Sequence, residues 1–340
     1  MLQAIMTKPG VIVYKEIEKP KPKGNEVLIK IKRIGICGSD IHVYHGTHPF
    51  TDYPIVQGHE VYGEISDIGH LVKDFSIGNK VTIMPQVTCG ECYNCKNGKY
   101  NICDSLKVMG FQINGAAQDY YAVPDKLVIK LSENILPEEG AMIEPTAVAV
   151  HALKRGGSMK GKNILVLGSG TIGNLVGQVA KGLGAKKVIN SDISEFRLNI
   201  AKQCGIDLTI NPMKYNLEKA IIKEFGENKA DMILECVGAE TTVSQAISYA
   251  RKGTNIIIVG VFSQKPKIDM SLIQDRELNI IGTLMYQKDD YLKAIELIEE
   301  GKLLLNNLVT KIFPFLEYQN AYRYIEKKND LAMKVMVTFN

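Results

Sequence analysis

The stretch Lys162–Asp192, KNILVLGSGTIGNLVGQVAKGLGAKKVINSD, restricts this chain more than any other. Asn163–Leu167 is a short apolar run of the kind that forms a buried parallel strand. It breaks at Gly168-Ser169-Gly170-Thr171-Ile172-Gly173, a G-x-G-x-x-G, and an amphipathic segment follows to Leu183, with Gly184 at the C-cap position. A second strand, Lys187–Ser191, runs into Asp192, 19 residues past Gly173. Each part has a task in holding a dinucleotide. Gly168 permits the tight turn, Gly170 lets the backbone approach a pyrophosphate, and Gly173 lets the helix pack on the strand. The helix N-terminus offers N–H groups to the anion. Asp192 can accept from an adenosine ribose and would repel a 2′-phosphate, so NAD is expected rather than NADP. Glycine loops give such a motif by chance; strand, helix and placed acid together favour a nucleotide over a structural turn.

At 340 residues the chain is long enough for two domains with real cores. Its net charge of +4 is small, and Lys15, Lys19, Lys21 and Lys23 are scattered among acids and prolines, so no nucleic-acid face is expected. No apolar run approaches the ~20 residues that span a bilayer, and MLQAIMTKPG lacks the layout of a signal peptide. A cytoplasmic protein without membrane partners is the expectation, and its seven cysteines should then be reduced thiols or metal ligands.

Up to residue 140 the pattern is mostly β, with strands expected at 3–6, 11–17, 27–35, 61–68, 80–84, 117–123 and 127–130, punctuated by Gly and Pro. A small β-barrel fits this, followed by a helix from Ala141 toward Arg155. From Gly161 strands at 163–167, 187–191, 208–211, 231–236, 255–259 and 278–282 alternate with helical patterns, which predicts a doubly wound sheet of six parallel strands. A helix over 289–300, strands near 309–313 and 333–339, and a helix over 318–327 are too few for a third domain. The expected division is therefore 1–150, 151–285 for the nucleotide domain, and 286–340 returning to the first domain.

Cys89, Cys92, Cys95 and Cys103 form C-x₂-C-x₂-C-x₇-C. Four thiolates in so short a lobe can close a tetrahedral zinc site with no open position, the structural kind. Buried free thiols do not explain the clustering, and an iron–sulfur cluster would lead one to expect a Cys-Pro. Cys37, His59 and Glu60 supply a thiolate, an imidazole and a carboxylate from separate loops, the catalytic pattern for zinc with an exchangeable fourth position. Glu144 is an acid inside an apolar stretch and needs a partner. Taken singly, His59 reads as a core histidine and Cys37 as a small hydrophobe.

CGSDIH at 37–42, GHE at 58–60, the four-cysteine lobe and the glycine fingerprint follow one another in an order that resembles the zinc-dependent medium-chain dehydrogenases over essentially the whole chain. The polyol and sugar-acid branch is most similar, with threonine dehydrogenase further off. The resemblance implies a GroES-like catalytic domain built from both chain ends around a Rossmann domain, two zincs per subunit, NAD, and a homotetramer or homodimer. It implies that Cys37 and His59 are catalytic zinc ligands and that Glu60 and Glu144 share the remaining coordination, directly or through water. Ser39 would take the alcohol proton and His42 would pass it on. The expected cofactor set is Gly168, Gly170, Thr171, Ile172, Gly173, Asp192, Arg197, Val259 and Val261.

Two departures stand out. Asp119 occupies a position where glutamate is common, and Met285 stands where sugar-converting relatives carry arginine, which weighs against a sorbitol-like pocket. His70 and His151 read as surface or loop residues, as do His45 and His48, although these two also lie where a substrate could be read. Cys204 and Cys236 read as buried thiols, and Glu235–Gly238 ends a strand where doubly wound folds hold their ligand. The expected reaction is hydride transfer between NAD and a secondary hydroxyl of a sugar acid such as L-galactonate or L-idonate. A sorbitol-type polyol is the alternative. A threonine-type enzyme, a non-catalytic NAD sensor and a zinc-knuckle nucleic-acid binder are weaker rivals, since a sensor needs no proton path and the cysteine lobe lacks basic and aromatic interleaving.

Overall fold

The computed structural model describes the backbone of residues 1–340 and every side chain but that of Asn329. The chain separates into two units, Met1–Glu144 with Val309–Asn340, and Pro145–Leu308. Among the described residues no helix is long and apolar enough to cross a membrane.

In the first unit a sheet runs in the order Val309–Pro314, Lys334–Thr338, Glu26–Ile36, Glu60–Ile68, Lys80–Ile83 and Val128–Lys130, with Tyr120–Pro124 also pairing with Glu26–Ile36. Val309–Pro314 and Lys334–Thr338 are parallel and the other pairs antiparallel. The central strand Glu26–Ile36 interleaves half-buried charged residues, Lys30, Lys32 and Arg33, with buried apolar ones: Ile29, Ile31 and Ile34 join Val61, Ile65, Val81, Val335 and Val337 in one buried core. Burying each such side chain stabilises by about 1.5–3 kcal/mol. The register sets Gly35 between Met336 on one side and Glu60 on the other. The strand that leads into Cys37, the strand that opens with Glu60 and the C-terminal strand are thus neighbours.

A short helix, Gly38–Tyr44, follows the central strand and has no counterpart in the sequence reading. At seven residues it is too short to display a hydrophobic period. Its start is fixed by a capping box, in which the Asp40 carboxylate accepts from the Cys37 N–H at 2.9 Å.

In the second unit six parallel strands take the order Leu208–Ile210, Lys187–Ser191, Asn163–Leu167, Met232–Glu235, Asn255–Ile258 and Asn279–Gly282. The order reverses between Asn163–Leu167 and Met232–Glu235, and Leu167, Ser191, Glu235 and Ile258 are in register. Gly168, Asp192, Cys236 and Val259 therefore leave the sheet together at its carboxyl end, on either side of the switch point where such sheets bind ligands.

The division differs from the expected one. The helix Lys288–Glu299 was expected to return with the C-terminal segment, but it belongs to the second unit. Its apolar face, Tyr291, Ala294, Ile295, Leu297 and Ile298, is buried there, and Asp290 at its start bonds His151 at 2.7 Å and Lys154 at 3.3 Å. The Leu304 N–H then donates to Gln178 at 2.6 Å, so the chain leaves this unit only after Leu308. The other boundary falls within the helix Pro137–Arg155, at Pro145 rather than after 150.

Candidate active site

Cys37, His59 and Glu60 converge in the first unit, with one potential ligand atom from each lying within 4.8 Å of the others. Cys37 is the N-cap of Gly38–Tyr44, and Glu60 opens its strand. His59 precedes it on a loop pinned by a neighbouring segment: the Gly115, Ala116 and Ala117 N–H groups donate to the carbonyls of Val56, Gly58 and Gln57. Asp40 is fully buried and organises the floor. Besides the Cys37 N–H it accepts from the Gln57 amide at 3.1 Å, and it faces His59 Nδ1 at 3.5 Å, charge-to-charge distance rather than a hydrogen bond. Gln57 in turn accepts from the Tyr322 hydroxyl at 2.7 Å, which lies 3.1 Å from that of Tyr318. This buried chain brings the C-terminal helix Tyr318–Lys328 under the site.

Lys334 is the residue that sequence reasoning missed. Its ammonium, 3% exposed, donates to both carboxylate oxygens of Glu60 at 2.6 Å and to the Ile36 carbonyl at 3.2 Å. Gly35 makes the arrangement possible, because a Cβ there would lie 1.8 Å from Glu60 Oε2. An isolated glycine inside a strand was the available signal, since it often marks a close approach.

The field here favours a bound cation. Burial pushes the His59 imidazole down, yet Asp40, Cys37 and Glu144 outweigh it and hold it well above its usual value. Burial likewise lowers Lys334, and Glu60, Cys37 and Glu144 more than reverse this. A thiolate, an imidazole and a carboxylate with lone pairs beyond those used by Lys334 suit zinc as donors. Glu144, 6% exposed at the end of this unit, acts on both His59 and Lys334 through its charge. Ser39 is half-buried in the first turn and His42 exposed one turn on, its Nδ1 3.5 Å from the Thr47 hydroxyl.

Cys89, Cys92, Cys95 and Cys103 form the second cluster, with all four sulfurs within 4.8 Å of one another. The sulfur pairs 89–103, 89–95 and 92–103 are 3.5, 4.0 and 4.0 Å apart. Four Zn–S bonds of about 2.3 Å in a tetrahedron put sulfurs about 3.8 Å apart, so the lobe fits the ion. Backbone N–H groups of Glu91 and Cys92 point at Cys89 at 3.4 Å and bring its thiol down to about 6, whereas desolvation pushes Cys95 up to about 12.

In the second unit the glycines behave as the motif requires. Gly168 has φ +95°, and a Cβ on Gly173 would lie 2.0 Å from the Gly168 carbonyl oxygen. A Cβ on Gly170 would meet nothing within 4 Å, which leaves an open cradle of the kind a pyrophosphate fills. Asp192, buried, accepts from the Ser169 N–H at 2.7 Å and the Ser194 N–H at 2.9 Å, with Arg197 Nη1 3.9 Å away. Asn190, which reads as an ordinary strand residue, anchors the loop from below by donating to Ser169 Oγ at 3.3 Å and to the Gly173 carbonyl at 3.1 Å. Thr171 and Ile172 open the helix Thr171–Gly182, half-buried. Gly238 and Gly260 touch so closely that a Cβ on Gly260 would lie 2.1 Å from the Gly238 nitrogen. Val259 is half-buried beside them and Val261 exposed.

The remaining expectations divide. Asp119 accepts from the Leu2 N–H at 2.6 Å, which ties the first strand. Met285 holds a left-handed backbone, φ 53°. His45 pairs with Glu326 at 2.6 Å on the surface. His151 is not a surface residue: it is buried against Asp290. Cys204 is buried, and desolvation pushes it up to about 11, while Cys236 is only half-buried.

Residues 23–133 match the alcohol dehydrogenase GroES-like domain, and residues 171–300 match the zinc-binding dehydrogenase domain. An L-galactonate-5-dehydrogenase of Escherichia coli K12 is 31% identical over 335 residues, 98% of each chain. A D-xylulose reductase of Saccharomyces cerevisiae is 35% identical over 327 residues, 94% of this chain and 92% of that one. The crystal structure of an Escherichia coli CFT073 alcohol dehydrogenase complexed with NADH superposes with a TM-score of 0.92 at 32% identity, over 100% of this chain and 99% of that one.

Proposed function

Because the chain belongs to the zinc-binding alcohol dehydrogenases, oxidoreductases that act on CH–OH donors with zinc and a nicotinamide dinucleotide, we propose that it interconverts a secondary hydroxyl of a sugar acid or polyol and the corresponding ketone, with NAD. The observation that carries this reading is the convergence of Cys37, His59 and Glu60, one donor of which is a carboxylate. A carboxylate in place of a second thiolate makes the site more polar and suits polyhydroxylated substrates. When bound, zinc supplies a Lewis acid that lowers the pKa of a hydroxyl and the nicotinamide supplies the hydride acceptor.

The chain's own residues do the rest. Cys37, His59 and Glu60 hold the catalytic metal, with Glu144 contributing charge beside them, and Asp40 orients His59. Ser39 takes the substrate proton and His42, three residues on along the same helix face, releases it to solvent. Cys89, Cys92, Cys95 and Cys103 hold the structural zinc. The glycine loop receives the pyrophosphate, Asp192 the adenosine ribose with Arg197 beside it, and Thr171, Ile172, Val259 and Val261 border the dinucleotide. A homodimer or homotetramer belongs to the reading, supported by the open, largely exposed edge strand Asn279–Gly282. It predicts more than one chain by sedimentation.

The names of two relatives, an L-galactonate dehydrogenase and a D-xylulose reductase, support the substrate class. A sugar acid is favoured over sorbitol because the CGSDIH and YPIVQGHE stretches resemble the sugar-acid enzymes most and His45 or His48 can meet a carboxylate, while Met285 weighs against a sorbitol-like pocket. Steady-state comparison of L-galactonate, L-idonate, L-gulonate, sorbitol and ethanol with NAD, followed at 340 nm, tests it. Ethanol as the best substrate would overturn the secondary-alcohol reading, and sorbitol as the best would overturn the sugar-acid preference.

A further inference from the structure

His48 stands one ring away from His59. Its imidazole stacks on Phe111 with centroids 4.8 Å and planes 28° apart, and Phe111 lies 5.0 Å from the His59 ring. Phe111 is buried and holds both rings in position. The His48 N–H donates to the His42 carbonyl at 3.2 Å, which ties the root of the side chain to the helix that carries Ser39 and His42.

The hydrogen bonds at Nδ1 decide the tautomer. The Phe50 N–H can only donate, and it points at Nδ1 from 3.4 Å; the Thr51 hydroxyl lies 2.8 Å from the same atom. Nδ1 therefore carries a lone pair and the proton sits on Nε2. Among the described residues Nε2 has no hydrogen-bond partner, whereas Nε2 of His45 is already taken by Glu326. Burial and the charge of His42 outweigh Asp40 and keep the His48 ring below the usual histidine value, hence neutral. The result is a half-buried N–H donor one ring away from the His59 imidazole.

We infer that His48 determines specificity: its Nε2–H donates to an oxygen on the substrate chain beyond the reacting carbon, a hydroxyl in a polyol or a carboxylate oxygen in a sugar acid. This rests on the reading that Cys37, His59 and Glu60 bind the reacting end. A donor built to meet a substrate oxygen discriminates strongly against analogues that lack one, because it is then left unpaired.

Two variants test it. His48→Phe keeps the stack on Phe111 and removes the donor, and His48→Gln keeps an amide N–H near the position of Nε2. The substrates are L-galactonate, sorbitol and 2-butanol, the last without further oxygens. His48→Phe is expected to lower kcat/KM ten- to hundredfold on the first two, chiefly through KM, and to leave 2-butanol within twofold; His48→Gln should recover most of the loss. A larger loss on L-galactonate than on sorbitol assigns the contact to the carboxylate, and equal losses assign it to a hydroxyl. Equal losses on all three substrates, or none, overturn the inference. A wild-type enzyme that prefers 2-butanol overturns the polyhydroxylated reading and this inference with it, whereas a polyhydroxyl preference that survives His48→Phe overturns this inference alone.

Discussion

Lys334 Nζ sits 2.6 Å from both carboxylate oxygens of Glu60, with the two side chains 3% and 1% exposed. The pair links the strand Lys334–Thr338 to the residue after His59, so that strand is part of the candidate metal site. Removing one partner of a buried pair leaves an uncompensated charge, which costs about 3–5 kcal/mol.

Lys334→Met should therefore lower the unfolding free energy by about 3–5 kcal/mol in urea titration and reduce zinc retained at the catalytic site. Glu60→Gln alone should also destabilise, but the double variant should cost less than the sum, because both members act on one interaction. Strict additivity in that cycle would mean that the pair is not a unit. Gly35→Ala should reproduce the zinc defect without touching either charge, since its Cβ would displace the Glu60 carboxylate.

Much of this site was legible in the sequence, and the illegible part has one physical cause. Cysteine clusters and glycine turns betray themselves through spacing along the chain, so the cysteine lobe and Gly168–Gly173 could be named as candidates before any coordinates, whereas Cys37 and His59, 22 residues apart, stood out as a pair through the family resemblance. The strand Asn163–Leu167 matches residue for residue because a strand buried on both faces reads as an apolar run, and Lys187–Ser191 matches as well although only Val188 and Ile189 in it are apolar. Lys334, Gln57 and Tyr322 act through partners 274 and 265 residues away, and no local pattern announces such a bond. His151 was misread for the same reason, since its partner Asp290 lies 139 residues on.

The two metal clusters should lose zinc in order. Four sulfurs within 4.8 Å of one another would close one site completely, whereas the three donors of the other would leave an exchangeable position. Mild chelation should abolish turnover while the protein still unfolds cooperatively, and metal analysis should fall from two zincs per chain to one. Cys92→Ser should instead lower thermal stability, because a structural zinc site contributes folding free energy directly. One zinc per chain in a fully active preparation would refute the assignment.

Asp192 should set the preference between the two nicotinamide dinucleotides. Its carboxylate would stand beside a 2′-phosphate, and like charges in contact cost several kcal/mol. Asp192→Ser should raise the ratio of kcat/KM for NADP over NAD tenfold or more. Some loss with NAD is also expected, because Ser169 and Ser194 would each lose the acceptor that now holds the loop. Equal use of NAD and NADP by the parent protein would show that Asp192 does not read the ribose.

The last expectation concerns acid. Burial pushes the Asp290 carboxyl up, but the His151 hydrogen bond, the Gln287 N–H and the charge of Lys154 outweigh it and hold Asp290 below the usual carboxylate range. A carboxyl depressed in the folded state binds its proton more readily when unfolded. Its stabilisation is therefore complete above the unfolded value, about 3.9, and disappears as pH falls through the lower folded one. Asp290→Ala should cost about 1–3 kcal/mol at pH 7 by orphaning the buried His151 contact and the cap of Lys288–Glu299. Asp290→Asn should make the acid limb shallower, so that between about pH 5 and pH 3 the wild type loses stability faster than the variant. Urea midpoints at intervals of half a pH unit would decide it, and parallel acid limbs would mean that Asp290 does not carry this linkage.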